Sequence, residues 1–518
     1  MRRVWLSGLV GVMAVLWSAG ASAGLFQTFI FEDFNTDPTA RGVVFNDNAA
    51  WISASGHGRL TPESGNQKGS IIFPTTFSSQ SVDYIAKVYI QNTTGSPADG
   101  VTTAILDQSL GTSASAFAVG LDLFIPNTTG GAKHIGVPYD TWQNSGEPAV
   151  PNSSVLYNMG GGANRINTTG QLTSLIDNAA NVNVRGYTTS VQIRGDDDTG
   201  QAAVASWYGN VEADRGGSPA FLQPLTQGTV PSYATFDARL GFGARTGGSD
   251  EYAAIDDVGA VVRDQAAIGS LPVAHQQDFS AWSGAWVLNG DATVAGGQLS
   301  LARPSGPTGA GSAFLSGQLT SPTFALGFDF TILPGASSTE EGFTVCFAGS
   351  PSALGGGGGS GGCGYTGILG NSFAIAFDLA PELPGGTAGD RSPVIRLLQN
   401  GTAVDAANSL VYYDLPDLID SGLYHADVYF DQGLLAVYLS SESGSVSDTL
   451  VLAGQLADFT FSPGTLGFTG GSASEALEIR IDNVLLQGEF NTEVIPEPAS
   501  LALLGLGLAA LARRRRKH

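Results

Sequence analysis

Short apolar runs with a period of two, broken every few residues by Gly, Asn, Asp or Ser, constrain this chain more than any other feature. Val82-Asp83-Tyr84-Ile85-Ala86-Lys87-Val88-Tyr89-Ile90 and Leu434-Leu435-Ala436-Val437-Tyr438-Leu439 are two of many. Such runs fit half-buried strands, and helical periodicity is almost absent between the two ends of the chain. The expected class is all-β with sandwich architecture. Only 13% of residues are charged, Gly, Ser, Thr and Ala fill the gaps between apolar runs, and 518 residues allow two domains of more than 200 residues each.

A coarse repeat divides the chain. The first copy opens with Glu32-Asp33-Phe34, reaches Trp51 and Gly58-Arg59-Leu60, and continues to Gly69-Ser70-Ile71-Ile72-Phe73. The second opens with Gln277-Asp278-Phe279, reaches Trp286 and Gly297-Gln298-Leu299, and continues to Gly311-Ser312-Ala313-Phe314. Near the copy ends, Leu240-Gly241-Phe242-Gly243 leads to Ile255-Asp256-Asp257-Val258, as Leu466-Gly467-Phe468-Thr469 leads to Ile481-Asp482-Asn483-Val484. Two tandem domains are expected, over 24–264 and 275–489.

The two ends carry addresses. Arg2 and Arg3 precede the apolar run Val4 to Trp17, and Ala21-Ser22-Ala23 offers a small-x-small cleavage site, so residues 1–23 are expected to be a removable signal peptide and Gly24 the mature start. At the C-terminus Pro496-Glu497-Pro498 precedes an apolar stretch from Leu501 to Ala512 and the basic cluster Arg513 to Lys517. Proline blocks helix entry, the apolar stretch is expected to form a short membrane helix, and the basic cluster resists translocation. About 12 residues at about 1.5 Å each reach roughly 18 Å of a roughly 30 Å hydrocarbon core, which suits a transient hold in the inner membrane. These residues resemble the PEP-CTERM sorting signal that exosortases recognise in Gram-negative bacteria. The resemblance implies an exosortase-type processing enzyme as partner, then release to the cell surface or extracellular matrix, often beside exopolysaccharide (biofilm) production.

Charge narrows the partners further. There are 23 Lys+Arg and 46 Asp+Glu; seven of the basic residues lie in the segments expected to be removed, which leaves 16 against 46 and a net charge of about −30. That surface repels phosphate backbones, so nucleic acid is excluded, while neutral polysaccharide, calcium or a basic partner stay open. Cys346 and Cys363 are the two cysteines, and in an oxidising compartment they are expected to form one disulfide closing a glycine-rich loop.

The middle of the second copy runs Glu341-Gly342-Phe343-Thr344-Val345-Cys346-Phe347, then Gly364-Tyr365-Thr366-Gly367, then Asn371-Ser372-Phe373-Ala374-Ile375-Ala376-Phe377-Asp378. This order resembles the L-type (legume-type) lectin domain of the concanavalin A-like jelly roll. The first copy resembles it more loosely, through Ala98-Asp99-Gly100, Val119-Gly120-Leu121-Asp122 and His134-Ile135-Gly136-Val137. By that resemblance, Asp99 with Gly100 and Glu341 with Gly342 are candidate carbohydrate-binding residues, since an ionised carboxylate is a strong acceptor for adjacent hydroxyls. Ordinary turn acids before a strand are the competing reading. The family's metal pair needs Glu-x-Asp, Asn, a second Asp and His. Asp122, Asn127 and His134 match part of this set, but Gly120 and Ala376 stand where the Glu belongs. A dinuclear site is therefore expected to be lost, with a single calcium at Asp122, Asn127 and His134 left open.

No catalytic set is legible. The Glu-x-Asp-x-x-Glu string of jelly-roll glycosidases does not occur; the nearest cluster, Glu475 and Glu478 with Asp482, is expected in the closing-strand region, and histidines are too sparse for a nucleophile with its base. The expectation is a non-enzymatic carbohydrate-binding protein. The alternatives are a structural or adhesive envelope protein without sugar binding and, more remotely, a divergent polysaccharide hydrolase.

Overall fold

The computed structural model describes residues 24–92, 99–112, 132–142, 152–162, 164–166, 187–209, 222–281, 283–302, 309–333, 342–349, 363–368, 370–379, 393–405, 408–415, 422–444, 446–472 and 478–492. It is all-β, with antiparallel sheets throughout. The alternating runs become paired strands, as at Ser81–Gln91 and Leu434–Ser441. Among the described residues no helix is long and apolar enough to cross a membrane, and the Leu501 to Ala512 stretch lies outside them.

Four sheets form two stacked pairs. In the first pair, one sheet orders its strands Leu222–Pro231, Gln201–Gly209, Tyr187–Asp196, Ser81–Gln91, Tyr252–Arg263, His57–Thr61 and Ala50–Ile52, with Phe26–Glu32 also on Tyr252–Arg263. Its counterpart in the second pair runs Thr449–Gln455, Leu434–Ser441, Leu423–Asp431, Gln318–Leu333, Glu478–Asn491, Gln298–Ala302 and Thr293–Ala295, with Val273–Gln277 on Glu478–Asn491. The correspondence is strand for strand. The facing sheets match likewise: Gly100–Asp107 is flanked by His134–Asp140 and Asp237–Arg245, as Gly342–Ala348 is flanked by Ser372–Asp378 and Thr465–Ser472. Each pair encloses its own apolar core, one around Phe73, Tyr84, Ile105 and Phe242, the other around Phe328, Phe343, Phe377 and Phe468.

Backbone detail repeats as well. Phe34 and Phe279 both have positive φ, 50° and 53°, and both are buried. Asp257 and Asn483 share φ near 45°, and each donates its N–H to the preceding carboxylate, Asp256 or Asp482, at 2.8 Å. Holding a non-glycine residue there is unfavourable, so its recurrence marks a bulge built into the long closing strand of both sandwiches.

The sandwiches meet through a junction of paired charges and rings. Lys87 binds Asp257 at 2.6 Å under the Tyr412 ring, and Tyr413 donates its hydroxyl to the Asp257 carbonyl at 2.7 Å. Asp414 accepts from the Thr188 hydroxyl at 3.0 Å, and burial pushes its carboxyl up to about 7. Further along, Arg194 binds Asp83 at 2.7 Å, Tyr438 donates to Asp83 at 3.1 Å, and Arg263 holds Asp448 at 2.8 Å. A buried ion left alone is strongly destabilising, so these pairings fix one docking geometry.

The expected disulfide is absent: Cys346 and Cys363 are buried and not joined. Cys346 sits mid-strand, whereas the Cys363 sulfur lies beside Gly342, 3.3 Å from where a Cβ would stand. Four residues of extended strand separate those levels by about 13 Å, well beyond disulfide reach. Burial pushes the Cys346 thiol up to about 12 and keeps it protonated.

Candidate functional site

Asp99 and Gly100, the predicted carbohydrate-binding pair of the first copy, stand where the strand Gly100–Asp107 begins. Gly100 has φ 105°, and a Cβ there would run into the Tyr139 carbonyl oxygen, so only glycine fits. Gly342 repeats this with φ 142° against the Phe377 carbonyl. In register, Gly100 pairs with Asp140 as Gly342 pairs with Asp378.

In the first sandwich this corner holds three acids and a cation. Asp99 is 8% exposed, and its carboxylate lies 3.5 Å from Arg245 Nε, on the strand that pairs with Gly100. Gly247 approaches it closely: a Cβ there would sit 3.3 Å from Asp99 Oδ1. Asp140 accepts from the Trp142 N–H at 3.1 Å and from the Asn152 amide at 3.4 Å. Glu251 is buried and accepts from the Thr141 hydroxyl at 2.7 Å. The loop carrying Gly247 is pinned, since its carbonyl accepts from Asn66 N at 2.7 Å and Thr246 donates to the Ser64 carbonyl at 2.8 Å. Trp142 stands beside this corner at 41% exposure.

The second sandwich closes the same corner. Asp378 is held by Arg396 at 2.8 Å, and Arg396 is fully buried. The turn at Cys363 and Gly364 packs against Gly342 and is tied down by the Thr469 hydroxyl, which donates to the Cys363 carbonyl at 2.6 Å. Glu341 lies outside the described residues.

The metal candidates are not brought to this corner as far as they can be followed. His134 pairs with Leu106, six residues along the strand from Gly100, which at about 3.3 Å per residue is roughly 20 Å away. It is 1% exposed, and burial pushes it down to about 4, so it is neutral. Asp122 and Asn127 lie outside the described residues. Among the described residues no group of three or more His, Cys, Asp or Glu could hold a metal ion. Trp207 is 7% exposed at the junction, in a small cleft lined also by Ser190, Gln192, Ser447 and Thr449.

Asp140, Arg245 and Glu251 are site residues that the sequence reading did not find. A signal for Asp140 was present: Val137-Pro138-Tyr139-Asp140 and Ile375-Ala376-Phe377-Asp378 share an apolar-x-aromatic-Asp ending. By strand register Asp378 corresponds to Asp140, opposite Gly342 and Gly100 respectively.

A comparison with curated proteins finds no match. Among solved structures, lectin UEA-II complexed with galactose matches with 18% identity and a TM-score of 0.36, over 43% of this chain and all of that one. The VIP36 exoplasmic/lumenal domain, in a form bound to Ca2+ and Man3GlcNAc, matches with 13% identity and a TM-score of 0.32, over 42% of this chain and 88% of that one. Peanut lectin matches with 14% identity and a TM-score of 0.33, over 42% and 97%. The family description that matches is the PEP-CTERM protein-sorting motif, over residues 494–517. This chain therefore carries a PEP-CTERM sorting motif at its C-terminus and is an exported protein sorted to the cell surface.

Proposed function

We propose that this protein is a non-catalytic, carbohydrate-binding component of the extracellular layer, made of two tandem lectin-like domains over 24–264 and 275–489. In this reading its tail is processed by an exosortase-type enzyme after a transient stage in the inner membrane. The observation that carries the reading is the Asp99 corner: a carboxylate paired with Arg245 and approached by Gly247, with Asp140 in register opposite Gly100 and accepting from the N–H of Trp142, which is exposed. An ionised carboxylate accepts from two neighbouring hydroxyls, and an aromatic face covers the apolar face of a sugar ring. Exopolysaccharide is the proposed ligand, through the first domain. Calcium is not assigned a place in this site. Among the described residues the Glu478 carboxylate, on the closing strand, is bound by Arg480 at 2.9 Å.

The filled corner of the second sandwich favours a second reading, in which that domain is a structural or adhesive module without sugar binding. Glycan-array binding of the exported protein, with and without calcium, tests both. Wild type is expected to bind neutral glycans and Asp99→Asn to lose that binding while keeping its thermal unfolding. Wild type binding no glycan would leave the structural reading. Release of reducing sugar from exopolysaccharide would overturn the non-catalytic one.

A further inference from the structure

The segment that begins at Gly24, the expected mature start, lies at the junction of the two sandwiches. The strand Phe26–Glu32 pairs with Tyr252–Arg263 of the first sandwich, yet Leu25, Phe26 and Phe29 belong to the apolar core that continues into the second. Asp431, at the end of Leu423–Asp431 in the second sandwich, receives this segment. Its Oδ2 accepts from Leu25 N at 3.0 Å and its Oδ1 from the Thr323 hydroxyl at 2.9 Å. Gly24 is packed so closely that a Cβ on it would overlap the Asp431 carboxylate. The Gly24 nitrogen, one bond of about 1.46 Å from the same Cα, therefore lies within about 4 Å of that carboxylate, which is ion-pair reach. Asp431 is 7% exposed, burial pushes its carboxyl up, and no cationic side chain among the described residues offsets that.

We propose that Asp431 is the acceptor site for the α-ammonium group that signal-peptide removal creates on Gly24, so that processing adds an ion pair fastening the first sandwich to the second. Before cleavage the Ala23–Gly24 amide offers only a neutral N–H. Hydrolysis consumes one water, leaves a carboxylate on Ala23 and an amine on Gly24, and the amine takes a proton from solvent. The charge then appears beside a buried carboxylate that lacked a counter-ion, and the glycine requirement follows from the close approach.

The proposal rests on the exported, leader-processed reading of the chain, and one preparation separates the two claims. The full chain is expressed with its leader and purified from the exported fraction, and its N-terminus is determined by mass spectrometry. The rate of α-amine acetylation is then followed against pH. A Gly24 start is expected, with an α-amine at least ten-fold less reactive at pH 7 than in Asp431→Asn, since one pKa unit is a factor of ten and the ordinary α-amine lies near 7.7–8.0. Moving the cleavage site to retain Ala23 is expected to lower the Tm by about 3 °C, and Asp431→Asn to abolish the difference between the two forms. The retained-Ala23 chain needs no substitution in the folded part, so the comparison survives if Asp431→Asn folds poorly. A Gly24 start with ordinary amine reactivity and no Tm difference overturns the proposal alone. A start at any other residue overturns the leader reading and the proposal together.

Discussion

The same corner of the two sandwiches is filled differently. Both begin their strand with a left-handed glycine packed on a carbonyl, Gly100 or Gly342, and both place an Asp opposite it, Asp140 or Asp378. In the second sandwich the charge is cancelled internally by Arg396, which is fully buried, and the Cys363 turn fills the space. In the first, Arg245 keeps 34% of its side chain exposed and stands 3.5 Å from Asp99, with the Gly247 backbone close against that carboxylate. Duplicating a fold does not duplicate a site. The backbone device is retained, while the side chains around it decide whether the corner is core or surface.

The sharpest way to break this comparison is to remove the cation from each corner. Arg396→Ala is expected to cost about 3–5 kcal/mol, because Asp378 is then buried without its partner, whereas Arg245→Ala is expected to cost at most about 1 kcal/mol. Chemical denaturation of both variants measures the gap. Equal losses would mean that the first corner is as structural as the second.

A smaller effect is expected from Asp414, which the second sandwich inserts against Thr188 of the first. Its folded pKa, raised to about 7 by burial, exceeds the ordinary 3.8, so the folded state holds a proton that the unfolded chain has released. The favourable contribution is full below about pH 4 and is lost as pH rises to about 7, by at most about 4 kcal/mol. Asp414→Asn should remove this slope, so the difference between variant and wild type in Tm against pH should widen from pH 4 to pH 7. A constant difference would show that Asp414 ionises normally and that the junction is wetter than its burial implies.

Much of the fold was legible because period-two runs and turn residues are local properties. The repeat was legible too, since Phe34 and Phe279, or Asp256-Asp257 and Asp482-Asn483, occupy positions whose strained backbone ties residue identity to geometry. The site was less so. Asp99 and Gly100 are singled out through the lectin resemblance, but Arg245 reaches Asp99 only through strand pairing across more than a hundred residues. The cysteines failed for the same reason: closeness in sequence says nothing about strand level, and four residues of extended chain separate the positions they occupy. Cys363→Ala is accordingly expected to cost about 1 kcal/mol in lost packing, where loss of a disulfide would cost about 2–5. Counting thiols after unfolding without reductant should give two per chain.

The smallest effect on stability falls on Trp142, and for that reason it discriminates best between the two uses of the corner. At 41% exposure the ring contributes little to either core, so Trp142→Ala is expected to change unfolding stability by no more than about 0.5 kcal/mol. Its backbone N–H, which binds Asp140, is unaffected by the substitution. A ring that stacks on a sugar would supply about 1 kcal/mol or more of binding, so glycan affinity should fall about five-fold or more while the Tm stays put. A ring that merely shields Asp140 from water would give the reverse pattern, a lower Tm with affinity unchanged. Because the two outcomes move different observables, measuring both on one variant decides whether the first sandwich presents a recognition surface or only a less tightly filled copy of the second.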